Sequence, residues 1–415
     1  HRRLSRPVKL SENSRPMPSP PSAFPLRPLA VIFVLQTALT MGAFAFPVII
    51  PVAAPDIGIA PESVGFLVAA VYIVGMAMGL GAGALEARFG ATRVFQALLA
   101  FGAAGAATLA AGAAAIMAFL AAMLIGCATG PMNPTGSAVL SRVTTPSNRA
   151  LVFSLKQCAT PAGGMLAGAL LPVLIEAADW RYAMLALAAA TAVLVLAAPF
   201  GRLGAARPDA QTGAAPIKDL RTTFADPSVR AVSGAGFALA ICQMGLVTYL
   251  VVFLWREAGY TPTEAGLIFS ALHLSGIGAR VALGFVADRL IPTRRLLCLL
   301  AVLLAMALVA ITQLDAGWPR LAVLGVVAAA GASGNGWVGL FFAELARLAP
   351  EDRVAAVAGG GQFVTYIGLV SGPVLFGALL EATGDFALCF SALAVVAILS
   401  ALQLARSTPS DTPAA

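Results

Sequence analysis

Charge is scarce in this chain. Asp, Glu, Lys and Arg make up 11% of its 415 residues, against 59% apolar ones. Soluble domains average roughly 25% charged residues, so an ordinary water-exposed surface cannot be built here. Histidine occurs only as His1 and His273, which excludes a histidine-rich metal site. The five cysteines (Cys127, Cys158, Cys242, Cys298 and Cys389) all fall inside apolar stretches. They read as small buried side chains, with no disulfide framework. The run Gly-x-x-x-x-Gly-Lys-Ser/Thr is missing, so ATP-driven transport is not encoded, and Gly-x-Ser-x-Gly is missing too. No catalytic constellation, metal site or cofactor is expected, and the chain does not read as an enzyme.

Hydrocarbon fills the chain instead. Twelve apolar stretches are each long enough for a bilayer crossing, which takes ~20 residues. Backbone groups in lipid must bond within their own segment, so these stretches are helices. A barrel would show ~10-residue alternating segments, and none appear. The expected fold is an all-α integral membrane protein, its twelve transmembrane helices arranged as two pseudo-symmetric six-helix bundles over 27–203 and 229–405. A polar cytoplasmic linker, 204–228, joins the bundles. Residues 1–26 form a Pro-, Ser- and Arg-rich tail that will not pack, and 406–415 form a second tail. The chain opens at His1, and Met17 reads as an alternative start. The first apolar run is too long for a cleavable signal peptide and continues as a span.

Lys and Arg set the orientation. Of the 26, 21 lie in alternate loops, the linker and the tails, and three (Arg181, Arg256 and Arg320) lie in the opposite loops. Cytoplasmic loops carry the excess. The expectation is a multi-pass protein of the cell inner membrane with both termini cytoplasmic. The net charge of +7 is this bias, not a nucleic-acid patch. The other two cations, Lys156 and Arg280, sit inside spans.

A loop pattern recurs about 200 residues apart. Gly83-Ala-Leu-Glu-Ala-Arg88-Phe-Gly90-Ala-Thr-Arg93 is followed by Gly284-Phe-Val-Ala-Asp288-Arg289-Leu-Ile-Pro-Thr-Arg294-Arg295. Gly126 matches Gly331, Arg142 matches Arg347 and Gln157 matches Gln362, at one common offset. Parallel repeats of this kind belong to one large transporter class. On the twelve spans, the central linker and the paired loop motif, the chain resembles the major facilitator superfamily over 27–405. The usual motif is Gly-x-x-x-Asp-Arg-x-Gly-x-Arg-Arg. The first copy departs at Ala87, with Glu86 beside it, and the second at Ile291. The resemblance implies that the loop latches helices at the inner face, through Gly83, Arg88, Gly90, Arg93, Gly284, Asp288 and Arg289. It also implies that the third helix of each triplet packs outside while the others line a central path.

Polar residues inside the spans are distributed accordingly. Spans three, six, nine and twelve are nearly pure Ala, Leu and Val. The others carry Gln36, Asn133, Lys156, Gln157, Gln243, His273, Arg280, Asn335, Gln362 and Tyr366, with Trp337 beside Asn335. Polar groups in hydrocarbon face the protein interior or a wet cavity, so the expected substrate-binding set is these residues other than His273. Lys156 stands out, because an ammonium in a span costs ~2.5–3.5 kcal/mol. It reads either as a charge for a substrate anion or as a side chain snorkelling to the headgroups. Arg280 is a weaker version of the same case. His273 reads as a proton carrier or a hydrogen-bonded packing residue. Glu344, the most span-like carboxylate, reads as a proton-coupling group or as the helix-end partner of Arg347.

No acid lies mid-span, which disfavours a cation carrier. The expectation is a secondary transporter working by alternating access on a small-molecule substrate. It leans to symport of a small organic anion with a proton as co-substrate, in the lipid bilayer as a monomer. Proton-driven efflux of a drug or metabolite is one rival. A non-transporting membrane sensor is another, although the linker and tail are too short for a folded sensor domain.

Overall fold

The structure is a computed structural model that describes residues 24–145, 148–201, 203, 226–350 and 353–406. The expected tails, most of the linker and the Asp288 side chain lie outside the described residues. Twelve helices are long and apolar enough to cross a membrane. In chain order they are α1 Leu26–Ile57, α2 Pro61–Leu80, α3 Ala91–Ala111, α4 Ala115–Ser141, α5 Leu151–Ala177 and α6 Trp180–Ala197, then α7 Pro227–Arg256, α8 Pro262–Ala287, α9 Thr293–Ile311, α10 Arg320–Leu348, α11 Ala356–Thr383 and α12 Phe386–Arg406. No strand occurs among the described residues.

Local chemistry sets the helix ends. The Asp226 side chain accepts from the Ser228 and Val229 amides, and Pro227 takes the first helical position of α7, where its missing N–H costs nothing. Thr261 and Glu264 form a capping box at the start of α8. Gly58 and Gly384 close α1 and α11 in the left-handed region, which glycine enters without a Cβ penalty.

Two of the spans are broken. In α4 the helix stops at Thr129 and resumes at Met132, across Gly130-Pro131. In α5 it stops at Gln157 and resumes at Ala159. Proline cannot donate to the carbonyl four residues back. Pro161 therefore leaves the Gln157 carbonyl without its helical donor, in a place where water cannot easily supply one.

The repeat is visible in the packing. α1 packs on α5 and α2 on α4; correspondingly, α7 packs on α11 and α8 on α10. Gly126 meets the Val71 carbonyl of α2, and its repeat mate Gly331 meets the Leu272 carbonyl of α8. The halves touch along two seams, α5 with α8 and α2 with α11, with α1 meeting α7 between them. Small residues set the first seam. A Cβ at either Gly168 or Gly266 would run into the other's carbonyl, the close approach that small residues permit between helices in lipid.

Hydrogen bonds reinforce the same region. Ser270 Oγ donates to the Met165 carbonyl at 2.7 Å, and Thr263 bonds Glu176. Tyr249 of α7 donates its hydroxyl toward the Glu62 carbonyl (3.0 Å) and the Pro373 carbonyl (3.2 Å). Arg256 pairs with Glu62. These links all lie toward the Gly58 end of the molecule, away from the Arg88 loop.

Candidate functional site

A cavity of about 160 Å³ lies between the halves. Its walls come from α1, α2, α4, α5, α7, α8, α10 and α11, and no residue of α3, α6, α9 or α12 lines it. Seven of the residues singled out in the sequence reach it: Asn133, Gln157, Gln243, Arg280, Trp337, Gln362 and Tyr366. The repeat-related pair Gln157 and Gln362 thus meets at one site.

Arg280 is the cation in the wall. Its Nε donates to the Asn335 carbonyl of α10 and its Nη1 to the Gln157 carbonyl of α5, both at 3.0 Å. The second acceptor is the carbonyl that Pro161 deprives of a helical partner. Arg280 therefore spans the two halves through backbone oxygens. It has no carboxylate partner among the described residues. Both acceptors are neutral, so its full positive charge is left for whatever enters the cavity.

A chain of side chains holds this region of the second half. Gln243 Nε2 donates to Asn335 Oδ1 at 2.9 Å. Trp337 Nε1 donates to Gln243 Oε1 and to the Gly334 carbonyl, both at 3.1 Å. Asn335 is buried behind the wall and anchors both Gln243 and Arg280. It is not itself among the residues that line the cavity.

Lys156 is turned away from the cavity. It is 1% exposed and reaches across to α4. There its Nζ donates to Ser137 Oγ at 2.6 Å, to the Asn133 carbonyl at 2.9 Å and also to the Asn133 side-chain oxygen. An ammonium has three hydrogens, and all three are used. Its influence on the cavity passes through Asn133, whose orientation it sets. Gln36 is similarly buried; its amide donates to the Met132 carbonyl at the resumption of α4.

His273 lies on the α5–α8 seam. Its Nδ1 faces the Phe269 carbonyl at 3.0 Å, and its ring packs on Phe44 and Phe269. The other ring edge sits against Gly164, where a Cβ would collide with it. Nε2 is buried without a partner. Glu344, 1% exposed, receives two bonds from Arg347, Nε at 2.9 Å and Nη2 at 2.8 Å, and it does not line the cavity.

Near the Arg88 loop, Glu86 of the short helix Ala82–Phe89 pairs with Arg142 at 2.8 Å. Glu86, beside Ala87, is thus the acidic residue of the first motif copy that makes an ion pair. Gly90 turns the chain into α3 at φ +78°, where a side chain would be strained; Ile291 occupies the matching place in the second copy. Arg88 stacks on Phe89 and Arg289 on Phe285.

Several wall residues carried no signal in the sequence. Thr40, Thr160, Thr365, Phe44, Phe341 and Phe342 line the cavity but are ordinary span residues by type. Tyr72 also lines it, and an apolar stretch hides a single tyrosine well. The half-turn position that puts them inward could not be read without the helix breaks.

Residues 32–368 match the model of the family described as Major Facilitator Superfamily. The "Transcription regulatory protein OpdE" of Pseudomonas aeruginosa is 32% identical over 168 residues, 39% of each chain, so this chain matches well under half of that relative's length. The "Hexuronate transporter" of Bacillus subtilis is 25% identical over 325 residues, 73% of this chain and 75% of its own. Among solved structures, a bacterial homolog to the human lysosomal transporter Spinster, in an inward-facing and occupied conformation, superposes with a TM-score of 0.69 at 13% identity. That superposition covers 91% of this chain and 94% of that one. A likeness at that identity concerns the fold.

Proposed function

Since the chain belongs to the Major Facilitator Superfamily, we propose that it takes up a small organic anion across the bacterial inner membrane, with protons, by rocking its two bundles around the central cavity. The observation that carries this reading is Arg280: a guanidinium in the cavity wall, held by two carbonyls from opposite halves, with no acid among the described residues to neutralise it. A cation at membrane depth with only neutral partners is costly, and a carboxylate entering the cavity relieves that cost. Arg binds carboxylates through paired N–H groups. The likeness to a hexuronate transporter agrees with an anionic cargo.

With both termini on the cytoplasmic side, the links at the Gly58 end form the outer gate, and the chain is in its inward-facing state. In this reading His273 carries the coupled proton, since its Nε2 is free on the seam that must part. Glu344 is committed to Arg347. The Glu86–Arg142 pair, the two motif loops and Asp288 form the inner latch. The protein acts as a monomer.

The test is uptake of radiolabelled carboxylates into proteoliposomes. Wild-type protein should accumulate an anion under an imposed pH gradient, and Arg280→Gln should not. Uptake that persists unchanged in Arg280→Gln would remove the central claim. The OpdE likeness favours one other reading, a membrane sensor. It predicts anion binding to purified protein with no accumulation in the vesicles.

A further inference from the structure

The cavity wall also limits which anion fits. We infer that the substrate is a singly charged carboxylate with a largely apolar, ring-sized body, and not a dianion or a polyhydroxylated acid. This rests on the anion reading of Arg280 and narrows it.

Charge comes first. Among the described residues Arg280 is the one cation in the wall, and no acid lies beside it. Lys156, which could have supplied a second positive charge, has all three hydrogens engaged on α4. A second carboxylate would therefore enter a membrane-embedded cavity unpaired, which is strongly unfavourable.

Hydrogen bonding comes second. A polyhydroxylated acid needs a donor or acceptor for each hydroxyl, or it leaves buried polar groups unpaired. Part of the polar wall is already committed, and the groups left over, Gln157, Thr160 and Tyr72, are too few to partner every hydroxyl of such an acid. Thr40, Thr129 and Thr365 donate their hydroxyls to carbonyls of their own helices, at 2.8 Å, 3.0 Å and 2.8 Å. Gln243 has both ends of its amide occupied, and the Asn133 side-chain oxygen is held by Lys156.

Shape comes third. Phe44, Met244, Val338, Phe341, Phe342 and Leu369 supply the larger apolar part of the wall. The volume, about 160 Å³, is close to that of the ~150 Å³ apolar cavity known to accept a benzene ring. Arg280 stands at the α5–α8 seam, while Tyr72 and Tyr366 enter from α2 and α11, the opposite seam. An acid with its carboxylate on Arg280 would extend its body toward the two tyrosines and touch both halves.

Four probes built on a six-membered ring separate the possibilities on the purified full-length protein: benzoate, terephthalate, glucuronate and benzamide. Thermal unfolding and competition against a labelled aromatic acid would be measured, because a ligand stabilises the state it binds. Benzoate should raise the unfolding temperature and bind at least about tenfold more tightly than terephthalate or glucuronate, and benzamide should have no effect. Arg280→Gln should abolish the benzoate shift, and Arg280→Lys should retain part of it if the Gln variant does not fold. Phe342→Ser should weaken benzoate while leaving its dependence on Arg280 intact. Tighter binding of glucuronate or terephthalate, still lost in the Arg280 variants, would overturn this inference and leave the anion reading standing. Benzamide matching benzoate, or benzoate binding unchanged without Arg280, would overturn both, as would no binding by any of the four.

Discussion

The two cations inside the spans, Lys156 and Arg280, have different fates, and hydrogen-bond supply separates them. The Lys156 ammonium finds three acceptors on α4, so its charge is spread over a closed set of contacts. Arg280 finds only two neutral carbonyls for its five donors. We predict that Lys156→Ala lowers the thermal stability of the detergent-solubilised protein, by about 1.5–3 kcal/mol, the worth of hydrogen bonds to a charged group. Anion binding should persist, weakened through the loss of Asn133 orientation. A variant that unfolds like wild type but binds nothing would return Lys156 to the substrate. The sequence made the depth of Lys156 legible, since each residue climbs 1.5 Å from Arg149. Its direction was not legible. Whether a side chain on a broken span points to the cavity or to a neighbouring helix depends on the angle of the short segment Arg149–Gln157, and that angle follows from packing on α4.

Among the elements, α5 does the most. Its break releases the Gln157 carbonyl, and Arg280 of the other half takes it at 3.0 Å. Pro161→Ala should restore the amide that bonds this carbonyl, since an interior proline costs a helix ~3 kcal/mol. Arg280 would then face a competitor within α5, and the link between halves should weaken. Pulsed distance measurements between labels on α5 and α8 should show a broader or longer distribution. A distribution identical to wild type would mean the break has no part in coupling the halves. Further along the same seam, Gly168→Val should push α8 away, because no side chain fits against the Gly266 carbonyl. That variant should populate the state with the Gly58 end open. The existence of the twelve helices was legible from length and hydrophobicity alone, because lipid admits no other backbone solution. The breaks in α4 and α5 were not, because proline is tolerated in such spans whenever a neighbour accepts or donates in its place.

At the scale of the molecule, the rocking proposed above needs one fold to hold two states, and the repeat supplies a way. Helices that pair within one half, α2 with α4 and α8 with α10, meet through equivalent glycines, so each half can move as a unit. The contacts between halves must then decide which end is closed. The common offset made this symmetry legible, since Gly126 with Gly331 and Gln157 with Gln362 keep their spacing across two consecutive helices. The ion pairs break the symmetry: Arg347 takes Glu344 from its own helix, one of the two readings the sequence offered for that carboxylate, whereas its mate Arg142 takes Glu86 from the first motif, which the repeat did not reveal.

Tyr249 offers the cleanest test of gate control. Its side chain is fully buried, and its hydroxyl points to carbonyls of Glu62 in the first half and Pro373 in the second. Gly65 and Gly377 leave the room for that hydroxyl, since a Cβ at either would strike it. Parting of the halves at this end would break the bond to Glu62 while leaving the ring packed on Phe376, stacked with centroids 4.3 Å apart. Tyr249→Phe therefore removes a contact specific to the closed gate and little else. A hydrogen bond of this type contributes about 0.5–1.5 kcal/mol, so the closed-to-open ratio should fall by roughly two- to twelve-fold. Glu62→Gln should do less. Its partner Arg256 is 43% exposed, and such surface pairs are worth about 0–1 kcal/mol. Distances between labels on the loops at Gly58 and Gly259 would report both variants. The expected order is wild type most closed, Glu62→Gln intermediate and Tyr249→Phe most open. If Tyr249→Phe left the distribution unchanged, the hydroxyl would be equally satisfied in both states, and the seam glycines alone would have to hold the gate.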